Sequence, residues 1–205
     1  MRKRVGILIF DDIEVLDFTG PYEVLSATRL DESKRREEPS PFEVVIVAEK
    51  EGIVKAQGGL KIIPDYSFQN CPFLDVLVVP GGWGTRREIY NKALTDWIKK
   101  KGNEVELITS VCTGAVLLGK AGLLKDRKAT THWRAINWMR ELFPEIEVVE
   151  DQHVVKDELV FTSAGISAGI DMALHIVGHY FGDDISKATC RHMEYSFSKD
   201  NKRHL

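Results

Sequence analysis

Apolar residues cluster in five short runs, at 4–10, 42–48, 76–79, 105–109 and 159–163. Several of these runs are apolar at odd and even positions alike, the pattern of strands covered on both faces. Helical periodicity fills the intervals. Gly20-Pro21-Tyr22-Glu23 opens the first helix, with glycine at the cap, proline at the first helical position and glutamate at the third. Further helices are predicted over 93–101, 113–121, 133–142 and 167–181, the last with Ile170, Ala173, Leu174, Val177 and Phe181 on one face. Strand and helix in alternation predict an α/β fold: a doubly wound, mostly parallel sheet with helices on both faces, a flavodoxin-like three-layer sandwich. The stretches 55–63 and 148–156 read as short antiparallel excursions, and 29–40 as a polar surface loop. With no internal repeat and no low-complexity linker, the 205 residues are expected to form a single domain.

Composition narrows the functions. A hydrophobic share of 43% and a charged share of 29% suit a chain with a substantial buried core, and a net charge of −3 gives no reason to expect nucleic acid. Lys34-Arg35-Arg36 runs straight into Glu37-Glu38, and Lys99-Lys100-Lys101 ends an amphipathic helix, so both read as solvated faces. Arg2-Lys3-Arg4 before an apolar run imitates a signal peptide, but the run is short and ends at Asp11-Asp12 without a cleavage site. No segment has the length of a membrane span. The cysteines, Cys71, Cys112 and Cys190, are odd in number and widely spaced, which argues against a disulfide framework or a zinc site. The cytoplasm, where thiols stay reduced, is the expected compartment.

Cys112 carries the chemical interest. It lies where the apolar run ending at Thr109 turns into the small-residue helix start Thr113-Gly114-Ala115. A side chain on such a turn projects above the carboxyl edge of a parallel sheet, and the free N–H groups of the next helix favour a thiolate, with a pKa below about 8.5. The plain alternative is a buried core cysteine. Two more segments are expected at the same edge. Asp17 follows the first strand; it either satisfies amides ahead of its helix or is a carboxyl partly withdrawn from water, with a raised pKa suited to proton donation. Pro80-Gly81-Gly82-Trp83-Gly84 is either a turn or a loop whose amides form an oxyanion hole. His132 is a candidate partner for the thiol, or a structural residue opening a helix. Asp171, His175 and His179 share four-residue spacing, but without a third convergent ligand they read as a polar helix face rather than a metal site.

Taken together these segments resemble the ThiJ/PfpI superfamily, related in fold to class I glutamine amidotransferases, and within it the isonitrile hydratases and the amidase-like domains of AraC-type regulators. The resemblance rests on Asp17-Phe18-Thr19-Gly20-Pro21-Tyr22-Glu23, Val79-Pro80-Gly81-Gly82, Val111-Cys112-Thr113-Gly114-Ala115 and Ala129-Thr130-Thr131-His132-Trp133. It continues through Thr162-Ser163-Ala164-Gly165-Ile166-Ser167-Ala168-Gly169-Ile170-Asp171 and Arg191-His192-Met193-Glu194-Tyr195, and so spans nearly the whole chain. Thr113 stands where the protease-like branch carries a histidine, which argues against peptidase activity. Asp17 stands for the glutamate of many members, as it does in isonitrile hydratases. Little chain follows Tyr195, so a helix-turn-helix module and a DNA-binding role are not expected.

The resemblance implies a small-molecule enzyme without cofactor or metal. Cys112 would attack an isonitrile, Asp17 would supply and recover protons, and Thr113 would orient water or substrate. Gly81, Gly82, Trp83, His132, Gly165 and Ile166 would line the substrate and oxyanion positions, with amides near Gly82 and Thr113 stabilising negative charge. The product would be an N-substituted formamide. Glyoxalase- or amidase-like chemistry and a non-catalytic cysteine sensor are the alternatives. The superfamily also implies a homodimer, with no nucleic-acid or membrane partner.

Overall fold

The computed structural model describes residues 2–197 and 200–203. Strand β1 (Lys3–Leu8) leads to α1 (Val15–Ala27) and β2 (Phe42–Ala48), followed by the short strands β3 (Val54–Lys55), β4 (Lys61–Ile62) and β5 (Tyr66–Ser67). Next come β6 (Val76–Val79), α2 (Thr85–Glu88), α3 (Lys92–Gly102), β7 (Leu107–Val111) and α4 (Gly114–Lys120). The order closes with β8 (Lys128–Ala129), α5 (Ile136–Leu142), β9 (Glu147–Val148), β10 (Val154–Asp157), β11 (Val160–Ser163), α6 (Ala168–Phe181) and α7 (Asp183–His192).

The twice-covered apolar runs form the centre of one sheet, in the order β10-β11-β7-β6-β1-β2-β5. All its neighbours are parallel except β10, which runs antiparallel to β11 at the edge. Every residue of β6, β7 and β11 is buried. The crossover from β1 to β2 moves one way along the sheet and that from β6 to β7 the other, so right-handed crossovers put α1 and α3 on opposite faces. Helices α6 and α7 pack with α1, and α4 with α3. The winding reverses between β1 and β6, which opens a crevice at the carboxyl ends of these strands. The expected doubly wound architecture is therefore present. No helix among the described residues is long and apolar enough to cross a membrane.

Three local expectations are corrected. Helix α1 starts at Val15 rather than Gly20, so Pro21 lies inside it and Asp17 sits in its first turn instead of ahead of it. Burial of Gly20 and Pro21, with Ile170 of α6 packed at Gly20, outweighs the hydrogen bond that Pro21 forfeits. Strand β7 begins two residues late, because the amides of Glu104 and Val105 bond to Lys101 O (2.9 and 3.0 Å) and close the end of α3. In the stretch 148–156, β10 pairs antiparallel with β11 and Gln152 bridges antiparallel to Lys202, whereas β9 runs parallel to β8.

Candidate active site

Cys112 sits between the buried end of β7 and the start of α4 with φ 56°, a left-handed conformation rare for a residue with a side chain. Its surroundings hold it there. The Cys112 amide donates to Ser163 O (3.2 Å) and Ala164 O (3.1 Å), and its carbonyl accepts from Thr131 Oγ1 (2.8 Å). Gly114 packs so tightly on the Val79 carbonyl that a Cβ there would overlap it. Such an over-determined turn stores backbone strain at Cys112.

Asp17 lies directly beneath the elbow and is fully buried. One carboxyl oxygen, Oδ2, accepts from the Gly81 amide (3.0 Å). The other, Oδ1, is buried with no hydrogen-bond partner of good geometry, while the carboxyl interacts with the Cys112 thiol. Burial pushes the Asp17 pKa up to about 8, with a further rise from Glu14, against the opposing Gly81 amide and Cys112 thiol. Asp17 therefore carries a proton at neutral pH, and the unpartnered Oδ1 is the oxygen free to hold it. The same burial, reinforced by the Asp17 carboxyl, pushes the Cys112 thiol well above its ordinary range. The expected low-pKa thiolate is thus corrected. At 6% exposure the desolvation of sulfur outweighs the Thr113 amide and hydroxyl that favour its charged form.

The glycine loop is tied to the elbow by side chains. The Gly82 amide donates to Thr113 Oγ1 (3.0 Å), and that hydroxyl also bonds Thr85 Oγ1 (2.9 Å). A Cβ at Gly81 would come within 2.5 Å of the Thr113 amide, and Gly82 has φ 136°, so both positions require glycine. Of the amides expected to stabilise negative charge, that of Gly82 is engaged by Thr113 Oγ1 and that of Thr113 faces the Cys112 thiol; the Gly81 amide is engaged by Asp17. The Thr113 hydroxyl is a lock between loop and elbow rather than a free group for water.

A cavity of about 180 Å³ opens over Cys112. Of the expected residues, Gly82, Trp83, Cys112, Thr113, His132 and Ile166 line it, whereas Asp17, Gly81 and Gly165 stand behind the wall. Gly165 is needed because a Cβ there would overlap the His132 ring. Ile166 has φ 51°, a second strained residue at the site. His132 Nδ1 accepts from the Arg134 amide (3.2 Å), which caps the turn after it. Burial, then the guanidiniums of Arg203, Arg134 and Arg86, lower the His132 pKa, so its ring is neutral. Glu14, Gln57, Arg86 and Arg134 also line the cavity and were not expected. Gln57, in the amide orientation that satisfies its neighbours, donates to Glu14 Oε2 (3.1 Å) and accepts from the Trp83 amide (3.0 Å). Arg86 and Arg134 could have been suspected from sequence, each lying within three residues of an expected site residue; Gln57, far along the chain, could not.

Along the polar face of α6, Asp171 is buried, His175 half-buried and His179 exposed. Asp171 is paired with His153 Nε2 (2.7 Å) and accepts from Tyr195 Oη (3.0 Å). His175 stacks edge-on to Phe197, and burial lowers its pKa to about 4. His175 and His179 line a second cavity, of about 1060 Å³, together with Phe161, Cys190 and Phe197 and away from Cys112. Among the described residues no group of three His, Cys, Asp or Glu side chains is arranged to hold a metal ion.

Residues 3–179 match the DJ-1/PfpI family. Isonitrile hydratase from Pseudomonas putida is 34% identical over 197 residues, covering 96% of this chain and 80% of that protein. The HTH-type transcriptional regulator GbdR from Pseudomonas aeruginosa is 31% identical over 151 residues, 74% of this chain but only 41% of the regulator. The crystal structure of a ThiJ/PfpI family protein from Pseudomonas syringae superposes with a TM-score of 0.84 at 28% identity, covering 98% of this chain and 78% of that one.

Proposed function

The chain belongs to the DJ-1/PfpI family, and from that premise we propose that it is a cysteine-dependent enzyme that adds water to small isonitriles. The observation that carries this reading is the buried, protonated Asp17 carboxyl facing the neutral Cys112 thiol. An isonitrile carbon is a weak electrophile until it is protonated. Asp17 supplies that proton as the Cys112 sulfur attacks the same carbon, and the thiol proton passes to Asp17. The product is a thioimidate, R–N=CH–S–Cys112. Water then adds to its carbon, and collapse of the adduct releases the N-substituted formamide and restores the thiol. The net reaction consumes one isonitrile and one water. A carboxyl with a pKa near neutrality suits a group that must give up and recover a proton in each cycle. A neutral thiol is no handicap where the acid activates the electrophile. Identity of 34% with isonitrile hydratase over nearly the whole chain supports the same reading. The three free cysteines support a reducing compartment, the cytoplasm.

The test is formamide formation from a panel of isonitriles. Wild type should produce it, Cys112→Ala should not, and Asp17→Asn should lose about 10²–10⁴-fold in turnover while staying folded. Consumption of glyoxals or amides, with isonitriles untouched, replaces this reading with other cysteine chemistry of the superfamily. Oxidation of Cys112 without turnover of any panel member replaces it with a sensor role.

A further inference from the structure

Two arginines rim the Cys112 cavity without an acidic partner. Arg4, Arg35, Arg87, Arg127 and Arg140 each hold a carboxylate. Arg86 and Arg134, which line the cavity, join no ion pair among the described residues and donate no side-chain hydrogen bond there. They lie instead over indole faces. The Arg86 guanidinium is 4.4 Å from the Trp83 ring centre and 5.4 Å from that of Trp138, and Arg134 is 4.8 Å from that of Trp133. Stacking of this kind fixes the guanidinium plane and leaves its N–H edge for another ligand. Arg203 stands behind them, its Nη2 donating to Thr130 Oγ1 (2.8 Å) and Thr131 O (2.7 Å) and its Nε buried without a partner.

Against the two cations Arg86 and Arg134, Glu14 is the one acidic side chain among the described residues lining the cavity, and it accepts from the Gln57 amide. Burial is the main cause that lowers the His132 pKa, and all three arginines add to it from around the cavity. The chain as a whole carries −3, so a cationic mouth at this one place runs against its overall balance.

We propose that the cavity selects substrates bearing a carboxylate, gripped by Arg86 and Arg134 while the reacting carbon faces Cys112. The inference rests on the reading of Cys112 as the reactive group. A carboxylate fits the planar fork of a guanidinium with paired hydrogen bonds, and Trp83, at 62% exposure, offers an apolar wall for the arm between the two ends.

The experiment has two arms. In the first, Cys112 is alkylated at pH 7 with iodoacetate or with iodoacetamide, and the rate ratio is compared with that of the neutral thiol N-acetylcysteinamide. One unscreened guanidinium near 4 Å from an anion in a water-like medium is worth about fivefold. The ratio at Cys112 should therefore exceed the reference by about five- to thirtyfold and collapse in 1 M salt. It should fall to the reference in the Arg86→Gln/Arg134→Gln double variant and persist in Arg86→Lys/Arg134→Lys, since the charge remains. A wild-type ratio at or below the reference, or one unchanged in the glutamine variant, overturns the proposal. In the second arm, 3-isocyanopropanoate should be hydrated with higher kcat/KM than its methyl ester, and the advantage should vanish in the glutamine variant. Equal kcat/KM for acid and ester also overturns the carboxylate subsite while leaving the hydratase reading intact. If neither isonitrile is hydrated, the hydratase reading fails and the alkylation ratio still decides the subsite.

Discussion

Keeping Asp17 buried and neutral should make the wild-type fold less stable as the pH rises, and replacing it with asparagine should remove that cost. The carboxyl is fully buried, with its pKa raised from the ordinary 3.8 to about 8. Below about pH 4 it is protonated in folded and unfolded chains alike, and it favours neither. Between pH 4 and 8 the unfolded chain has released this proton and the folded chain has not, so stability falls as pH rises through that window. Each pKa unit corresponds to about 1.4 kcal/mol, which makes the loss about 4 kcal/mol at pH 7. The side-chain amide introduced by Asp17→Asn would still accept from the Gly81 amide but could not ionise. Urea unfolding of wild type and Asp17→Asn at pH 5, 6 and 7 isolates the effect, since every other titrating group cancels in the difference. The variant should gain about 1.4 kcal/mol on wild type with each pH unit. A difference that stays constant from pH 5 to 7 would refute the burial argument and the protonated state assigned to Asp17.

Thr113→Val should leave the Gly82 amide and the Thr85 hydroxyl short of a partner inside the protein, with a loss of about 1–3 kcal/mol in urea unfolding that Thr113→Ser largely restores. His175, neutral in the folded state down to about pH 4, takes up its proton near 6.5 when unfolded, so stability is lost as pH falls from 6.5 towards 4. His175→Gln should flatten that acid limb in thermal melts taken across the same range. We also propose a two-fold homodimer, which light scattering at micromolar concentration should register as twice the chain mass; a monomer would contradict it.

The sheet and its winding were legible because its strands are apolar on both faces, a pattern that helices on two sides alone can satisfy. The elbow was legible for a related reason: the run into Cys112 and the small residues after it fix strand, turn and helix locally. Where tertiary contacts decide, the sequence was a weaker guide. Gly20-Pro21 looks like a helix start by every local rule, yet packing on α6 carries the helix back to Val15 and swings Asp17 under the thiol. The same burial reversed the charge expected on Cys112, because dipole arguments count the nearby amides and not the water that has been removed. The engaged amides of Gly81 and Gly82, and the cavity position of Gln57, depend on segments far apart in sequence that only the assembled sheet edge brings together.

The central claim is that Cys112 and Asp17 together form and resolve a covalent thioimidate. Mass spectrometry of the enzyme, acid-quenched during turnover of an isonitrile, tests it directly. Wild type should carry one added isonitrile mass on the Cys112 peptide while formamide accumulates, and Asp17→Asn should form that adduct at least about a hundredfold more slowly. Formamide accumulating with Cys112 unmodified, and at an undiminished rate in Cys112→Ala, would contradict the account.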